Sequence, residues 1–216
     1  MQLHHLTAPS LAVFPAELLC SPAMRLIEDE IYPDLDLDGG ELDGARGVTI
    51  QNGRLRRVSL VNTGFRFAHL QDVRFEDCDL SGVTFERCRL ERVELVRCRL
   101  TGAQMQKTRA SGLVLTDCPG LYVVLQEVNL RGALLTRCQL REATIQDCEL
   151  DGAELRDTDL GEAVLMGGSW DGCDIRTSRI DGLRASVPDL RGLRCDSEQA
   201  AALLRGAGID VVPAGL

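Results

Sequence analysis

From about Asp77 to Leu165 a large apolar residue returns at every fifth position, with a small residue two places before it. Polar residues or Gly fill the other three places. Cys78-Asp79-Leu80-Ser81-Gly82 runs into Val83-Thr84-Phe85-Glu86-Arg87 and Cys88-Arg89-Leu90-Glu91-Arg92. Cys148-Glu149-Leu150-Asp151-Gly152 and Ala153-Glu154-Leu155-Arg156-Asp157 repeat it later. A helix would smear this spacing around its circumference. A straight strand would send alternate repeats to opposite faces, because five is odd. A chain that turns a corner after each repeat satisfies the pattern: the large and small residues point inward on one short extended piece, and the Gly-rich places make the corner.

These residues resemble the pentapeptide-repeat family, whose motif is a small residue, Asp or Asn, Leu and two variable positions. The resemblance implies an all-β fold, a right-handed four-sided parallel β-helix with coils of about 20 residues stacked roughly 4.8 Å apart. The register runs without insertion from Ile50 to Cys195. Leu80, Phe85, Leu90, Leu140, Ile145, Leu150 and Leu155 are therefore predicted inside, and Asp79, Arg89, Glu149 and Asp151 outside.

Three segments follow. Residues 1–36 read as an N-terminal cap, with a helix starting at Ser21-Pro22 and turning Leu26, Ile27 and Ile31 to one face. Residues 37–195 read as the β-helix, with a slip of phase near Gly47 and a regular stack from Val48. Residues 196–216 read as a C-terminal helix and tail: Asp196 is the N-cap, Gly206 and Gly208 supply the stop, and Ile209, Val211 and Val212 form a last strand. Inside the stack, Met105, Ala110 and Gly120 break the large-residue pattern and leave room. Gly168 beside Trp170 suggests volume compensation. Leu121 and Tyr122 either swing inward or form an external apolar spot.

Composition narrows the function. Aromatics are 4% of the chain, so aliphatic side chains fill the interior, and the net charge of −9 argues against direct nucleic-acid binding. No apolar run approaches membrane-spanning length. Nine cysteines without a recognisable signal peptide suggest a reducing, cytoplasmic setting. Seven of them (Cys78, Cys88, Cys98, Cys118, Cys138, Cys148 and Cys173) take the small inward position, where a thiol acts as a small hydrophobe rather than a metal ligand. Cys78, Cys98, Cys118 and Cys138 should stack as a ladder. With three His, no phosphate-cradling loop and no metal-ligand spacing, no catalytic residue, metal or cofactor is expected.

The tail resembles the MfpA and Qnr branch of the family, which implies a two-fold dimer through the C-terminal segment and a rod that mimics DNA to bind DNA gyrase or a related type II topoisomerase, with resistance to quinolone-type inhibitors. Leu203, Leu204 and Ile209 would make the dimer contact. The charge pattern bears on this. Residues 1–44 carry −8, 45–120 carry +5, 121–195 carry −4 and the tail −2. A tail-to-tail dimer would gather Glu142, Glu149, Asp151, Glu154, Asp157, Asp159, Glu162, Asp171 and Asp174 into one central acidic surface. Asp151 should stack over Asp171, Glu154 over Asp174 and Glu142 over Glu162, a repulsion that suggests a functional reason. The alternative is a protein-interaction or scaffold module with an unrelated partner.

Overall fold

A computed structural model describes residues 23–212. They form a parallel β-solenoid of about eight turns ending in one short helix. After the first coil, successive coils pair at an offset of 20, as in Leu90 on Leu70, Leu95 on Leu115 and Ile145 on Leu165. The coil therefore has four sides of five residues. Ile50, Leu70, Leu90, Leu130, Leu150 and Trp170 lie inward on the first; Leu55, Phe75, Leu95, Leu115, Leu135 and Leu155 on the second. Leu60, Leu80, Leu100, Leu140 and Leu160 line the third, and Phe65, Phe85, Met105, Leu125, Ile145 and Leu165 the fourth. A ten-stranded sheet covers the first two sides and a seven-stranded sheet the fourth; the third is held by single bridges such as Asp79 to Arg99.

The inside/outside code holds. Leu80, Phe85, Leu90, Leu140, Ile145, Leu150 and Leu155 are buried, and Asp79, Arg89, Glu149 and Asp151 are not. Phe65 and Phe85 stack with ring centroids 5.3 Å apart. The corners differ from expectation. The residue two places after most inward large residues takes a left-handed conformation, and twenty of the residues in that conformation are not Gly; Arg92, Arg97, Arg137 and Glu142 have φ of 51–56°. Each such L-residue costs on the order of 1–2 kcal/mol. The stack offsets that cost with a buried aliphatic side chain per side and a backbone hydrogen bond to the next coil, such as Arg97 N–H to Thr116 O at 2.8 Å.

Several expectations are corrected. The helix over Leu26 to Ile31 does not form: Ala23–Arg25 and Ile31–Pro33 are strands of the first coil, paired with Glu41–Asp43 and Thr49–Gln51. Tyr32 and Leu37 occupy the inward column, a period of five that the helical reading missed. Ser21 and Pro22 lie outside the described residues. This first coil is 18 residues long, since Ala23 meets Glu41 and Asp36 meets Arg54. The slip of phase falls between Leu42 and Ala45, slightly before Gly47. There the backbones close in so far that a Cβ on Gly44 would sit 2.2 Å from Gly64 O. Gly168 is exposed, and a Cβ on it would meet the Cys148 carbonyl oxygen at 2.0 Å, so its role is backbone approach at φ +83° and not room for Trp170.

The space at Gly120 is closed by Val123, Leu100 and Leu140. An apolar cavity of about 80 Å³ remains in the core, lined among others by Leu100, Ala103, Met105 and Leu125. Leu121 and Tyr122 stay outside.

At the far end the helix Ser197–Gly206 closes the stack. Asp196 caps it, accepting from Gln199 N–H at 2.8 Å, while the Gln199 side chain returns to Asp196 N–H. Buried Gln199 donates to the carbonyls of Ile175 and Ser178, both at 2.7 Å, and so satisfies the open end of the last coil. Residues 209–212 form no strand. No helix of the described residues is long and apolar enough to cross a membrane.

Candidate functional site

Function has to be sought on the exterior, because the interior is closed and apolar. Side assignment fixes where each candidate carboxylate points. Glu149, Asp151 and Asp171 lie on the first side; Glu154, Asp157 and Asp174 on the second or its corner; Glu142, Asp159 and Glu162 on the third or its corner. The fourth side carries none of them. The nine acids therefore do not share one surface: the first and third sides face opposite ways.

Most are also neutralised within the chain. Arg131 reaches Asp151 at 3.1 Å and Glu149 at 3.4 Å. Arg141 reaches Glu162 at 2.6 Å and Asp159 at 3.8 Å. Arg176 pairs with Asp174 at 2.7 Å, and Arg156 pairs with Glu154. A shallow hollow on the second side is lined by Glu154, Asp157 and Asp174 but also by Arg156, Arg176 and Arg194. Glu154 does sit over Asp174, as the offset of 20 requires. Asp151 is structural: it accepts from the Ser169 hydroxyl and from Asp171 N–H at 3.1 Å, and the Ser169 hydroxyl chiefly holds its carboxyl below the usual range. Only Glu142, Asp157 and Asp171 have no ion-pair partner among the described residues.

The corner between the second and third sides shows how far this balancing goes. Arg57, Asp77, Arg97, Asp117, Arg137 and Asp157 occupy it at steps of 20, alternating in sign. Arg97 grips Asp77 through two bonds of 2.7 and 2.8 Å, and Arg137 grips Asp117 through 2.6 and 2.9 Å. Both aspartates are held below the usual carboxylate range by those guanidinium hydrogen bonds. A depressed folded pKa stabilises above the unfolded value, near 4, and that stabilisation is lost as pH falls through the folded pKa. Thermal stability should therefore drop as pH falls below about 4, and more gently in a chain carrying both Arg97→Met and Arg137→Met. Equal pH dependence of Tm in the two proteins would remove the corner from the account.

The densest group of free carboxylates lies elsewhere, although Asp147, Asp189, Asp196, Glu198 and Asp210 are also in no ion pair among the described residues. Glu28, Asp29, Glu30, Glu41 and Asp43 on the first coil are all exposed, with no basic side chain at ion-pair distance among the described residues. Asp34 accepts only from the Asn52 amide, at 3.2 Å. Asp36 and Asp38 in the same coil are paired with Arg56 and Arg57. The run Glu28-Asp29-Glu30 and the alternation through Asp38 were the available signal; a charge sum alone does not separate paired from unpaired acids.

The C-terminal candidates divide. Leu203 is buried against the last coil and belongs to the lid, whereas Leu204 and Ile209 are 36% and 44% exposed. Val212 is exposed as well. The seven inward cysteines are buried, and all eight cysteines among the described residues are free. Burial pushes the Cys88 and Cys148 thiols up to about 11 and Cys173 to about 12. Stacking on Cys78 and on Cys118, with burial, raises Cys98 and Cys138 further. Thiols in this state are poor nucleophiles. No group of three or more His, Cys, Asp or Glu placed to hold a metal occurs among the described residues.

Residues 88–165 match the family model described as a pentapeptide repeat region. No curated protein matches the sequence. Solved structures with a similar course of chain include full-length QnrB1, described as a plasmid-mediated fluoroquinolone resistance protein: 18% identity, 87% of this chain and 100% of that chain, TM-score 0.45. Another is HetL of the cyanobacterium Nostoc sp. strain PCC 7120, a pentapeptide repeat protein involved in heterocyst differentiation regulation: 18% identity, 80% and 86% of the chains, TM-score 0.25. Likenesses at this level carry no functional argument.

Proposed function

We propose that this pentapeptide-repeat rod is a non-catalytic binding protein whose acidic first coil engages a basic protein surface, and that the partner is a type II topoisomerase such as DNA gyrase. What carries the reading is the collar of unpaired carboxylates at Glu28, Glu30, Asp34, Glu41 and Asp43. Elsewhere on the rod most acids have a basic partner of their own, so the collar is where unpaired negative charge is densest along the chain. A protein that grips duplex DNA must present lysines and arginines to phosphates, and those same groups attract a dense carboxylate array. Two rods joined across a two-fold by Leu204, Ile209 and Val212 would carry a collar at each end.

The collar reading differs from the central acidic surface that the tail-half residues suggest, and charge reversal separates the two. Glu28→Lys, Glu41→Lys and Asp43→Lys together should weaken binding to gyrase about tenfold or more at ~0.1 M salt, and wild-type binding should itself weaken as salt rises. Glu142→Lys, Asp157→Lys and Asp171→Lys together should have a smaller effect. If only the second variant loses binding, the contact lies in the tail half.

A second reading has its own support. Outward residues of the fourth side from Gln104 to Met166 are uncharged: Gln104, Gln106, Val124, Gln126, Thr144, Gln146, Val164 and Met166. Four adjacent uncharged strands within the seven-stranded sheet suit a scaffold contact with a partner that is not basic. Binding to gyrase that is indifferent to both charge-reversal sets would favour it.

A further inference from the structure

The corner joining the fourth side to the first carries Asp29, Gly47, Phe67, Arg87 and Lys107 in consecutive coils. Their backbone bonds fix the column: Asp29 N–H to Arg46 O, Gly47 N–H to Arg66 O, Phe67 N–H to Glu86 O and Arg87 N–H to Gln106 O, all 2.8–2.9 Å. Phe67 is anomalous there. It holds φ 56°, which a bulky side chain adopts at a cost, and it is 41% exposed. The guanidinium carbons of Arg46, Arg66 and Arg87 stand 5.7, 5.4 and 5.7 Å from its ring centroid. Three cations round one ring fix the side chain in place without covering it.

Charge reverses along this column about Phe67. Two coils before it stands Asp29; one and two coils after it stand Arg87 and Lys107. The outer pair, Asp29 and Lys107, is thus opposite in charge, Gly47 is neutral opposite Arg87, and Lys107 also stands 3.7 Å from Glu127 of the next coil; opposed outer charges let a surface fit a copy of itself turned end for end. We propose that the corner is a self-association surface, with a two-fold axis at Phe67 relating two antiparallel rods. Phe67 then packs on the second copy's Phe67. Asp29 faces the second copy's Lys107, each about 10 Å from the axis at roughly 4.8 Å per coil. Gly47, which has no side chain, faces the second copy's Arg87. In the neighbouring column Arg46 faces the second copy's Glu86. Arg66 meets its own counterpart at the axis, where Glu86 of the same chain already pairs with it at 3.2 Å. Each ion pair occurs twice, and the partly exposed aromatic is covered once from each side.

The contact is a line along a convex corner, so the association should be weak, in the micromolar range, and salt-sensitive. It stands apart from the tail contact, which uses Leu204 and Ile209, but shares the first coil with the gyrase reading, since Asp29 lies between Glu28 and Glu30 of the acidic collar; sedimentation of the chain alone reads the self-contact without gyrase.

The test is a charge-swap mixing experiment on the full chain, read by sedimentation velocity from about 1 to 100 µM. Wild type should sediment faster as concentration rises. Asp29→Lys alone and Lys107→Glu alone should each lose that dependence, because every pair becomes like-charged. An equimolar mixture of the two variants should regain it, since each pair across the axis is then oppositely charged. Both sites are exposed, and unchanged circular dichroism would show that the variants fold. A tail dimer would add the same increment to every sample. Wild type without concentration dependence, a single variant that associates like wild type, or a mixture that stays dissociated would each overturn the proposal.

Discussion

Leu150→Ala is expected to lower the unfolding free energy by about 2–5 kcal/mol, measured by urea denaturation. Leu150 is 2% exposed and lies in the inward column between Leu130 and Trp170. Its backbone bond to Ser169 O, 2.7 Å, survives the substitution, so the loss falls on packing and on the cavity left behind. Leu130 and Trp170 are each held by their own coils and cannot collapse far into the gap. A solenoid is stabilised by contacts between neighbouring coils, so the weakened layer should also reduce cooperativity and let the two ends unfold at different urea concentrations. Glu149→Ala, one residue away and outward, should stay within about 0.5 kcal/mol of wild type. Equal costs at the two positions would mean that the inward and outward columns are wrongly assigned.

The inward columns were legible because packing dictates them: a five-residue recurrence of Leu, Ile and Phe has one economical solution, and Leu80 through Leu155 are where it puts them. The corners were less legible. Gly at 82, 132 and 152 suggested that Gly makes the turn, but Arg92, Arg97 and Glu142 hold the same left-handed conformation, because the coil above and below imposes it. Leu26, Ile27 and Ile31 suit a helical face as readily as a strand, and long-range pairing with Thr49–Gln51 decided between them. The first coil's shortening was visible as an offset between Leu42 and Ile50; its place at Asp43-Gly44 depends on how closely Gly44 can approach Gly64.

The surface was read less well than the core, for a physical reason. A carboxylate's partner sits one coil away, 20 residues along, or two residues along the same side, as for Arg131 with Asp151 and Arg176 with Asp174. Counting charges by segment cannot show this. Counting them by column can, and the alternation from Arg57 to Asp157 was open to it. The tail divided in the same way: the helix and its Asp196 cap were legible, whereas the burial of Leu203 under the last coil was not.

The binding claim is tested most directly by gyrase supercoiling of relaxed plasmid in the presence of a quinolone, with increasing amounts of the protein. The account predicts a dose-dependent change in supercoiling or in quinolone-stabilised cleavage for wild type. It predicts loss of that change for Glu28→Lys, Glu41→Lys and Asp43→Lys together, in a protein with unaltered circular dichroism, because the collar then repels the basic surface it is meant to meet. No effect of wild type at any concentration, or an undiminished effect of the triple variant, would contradict it.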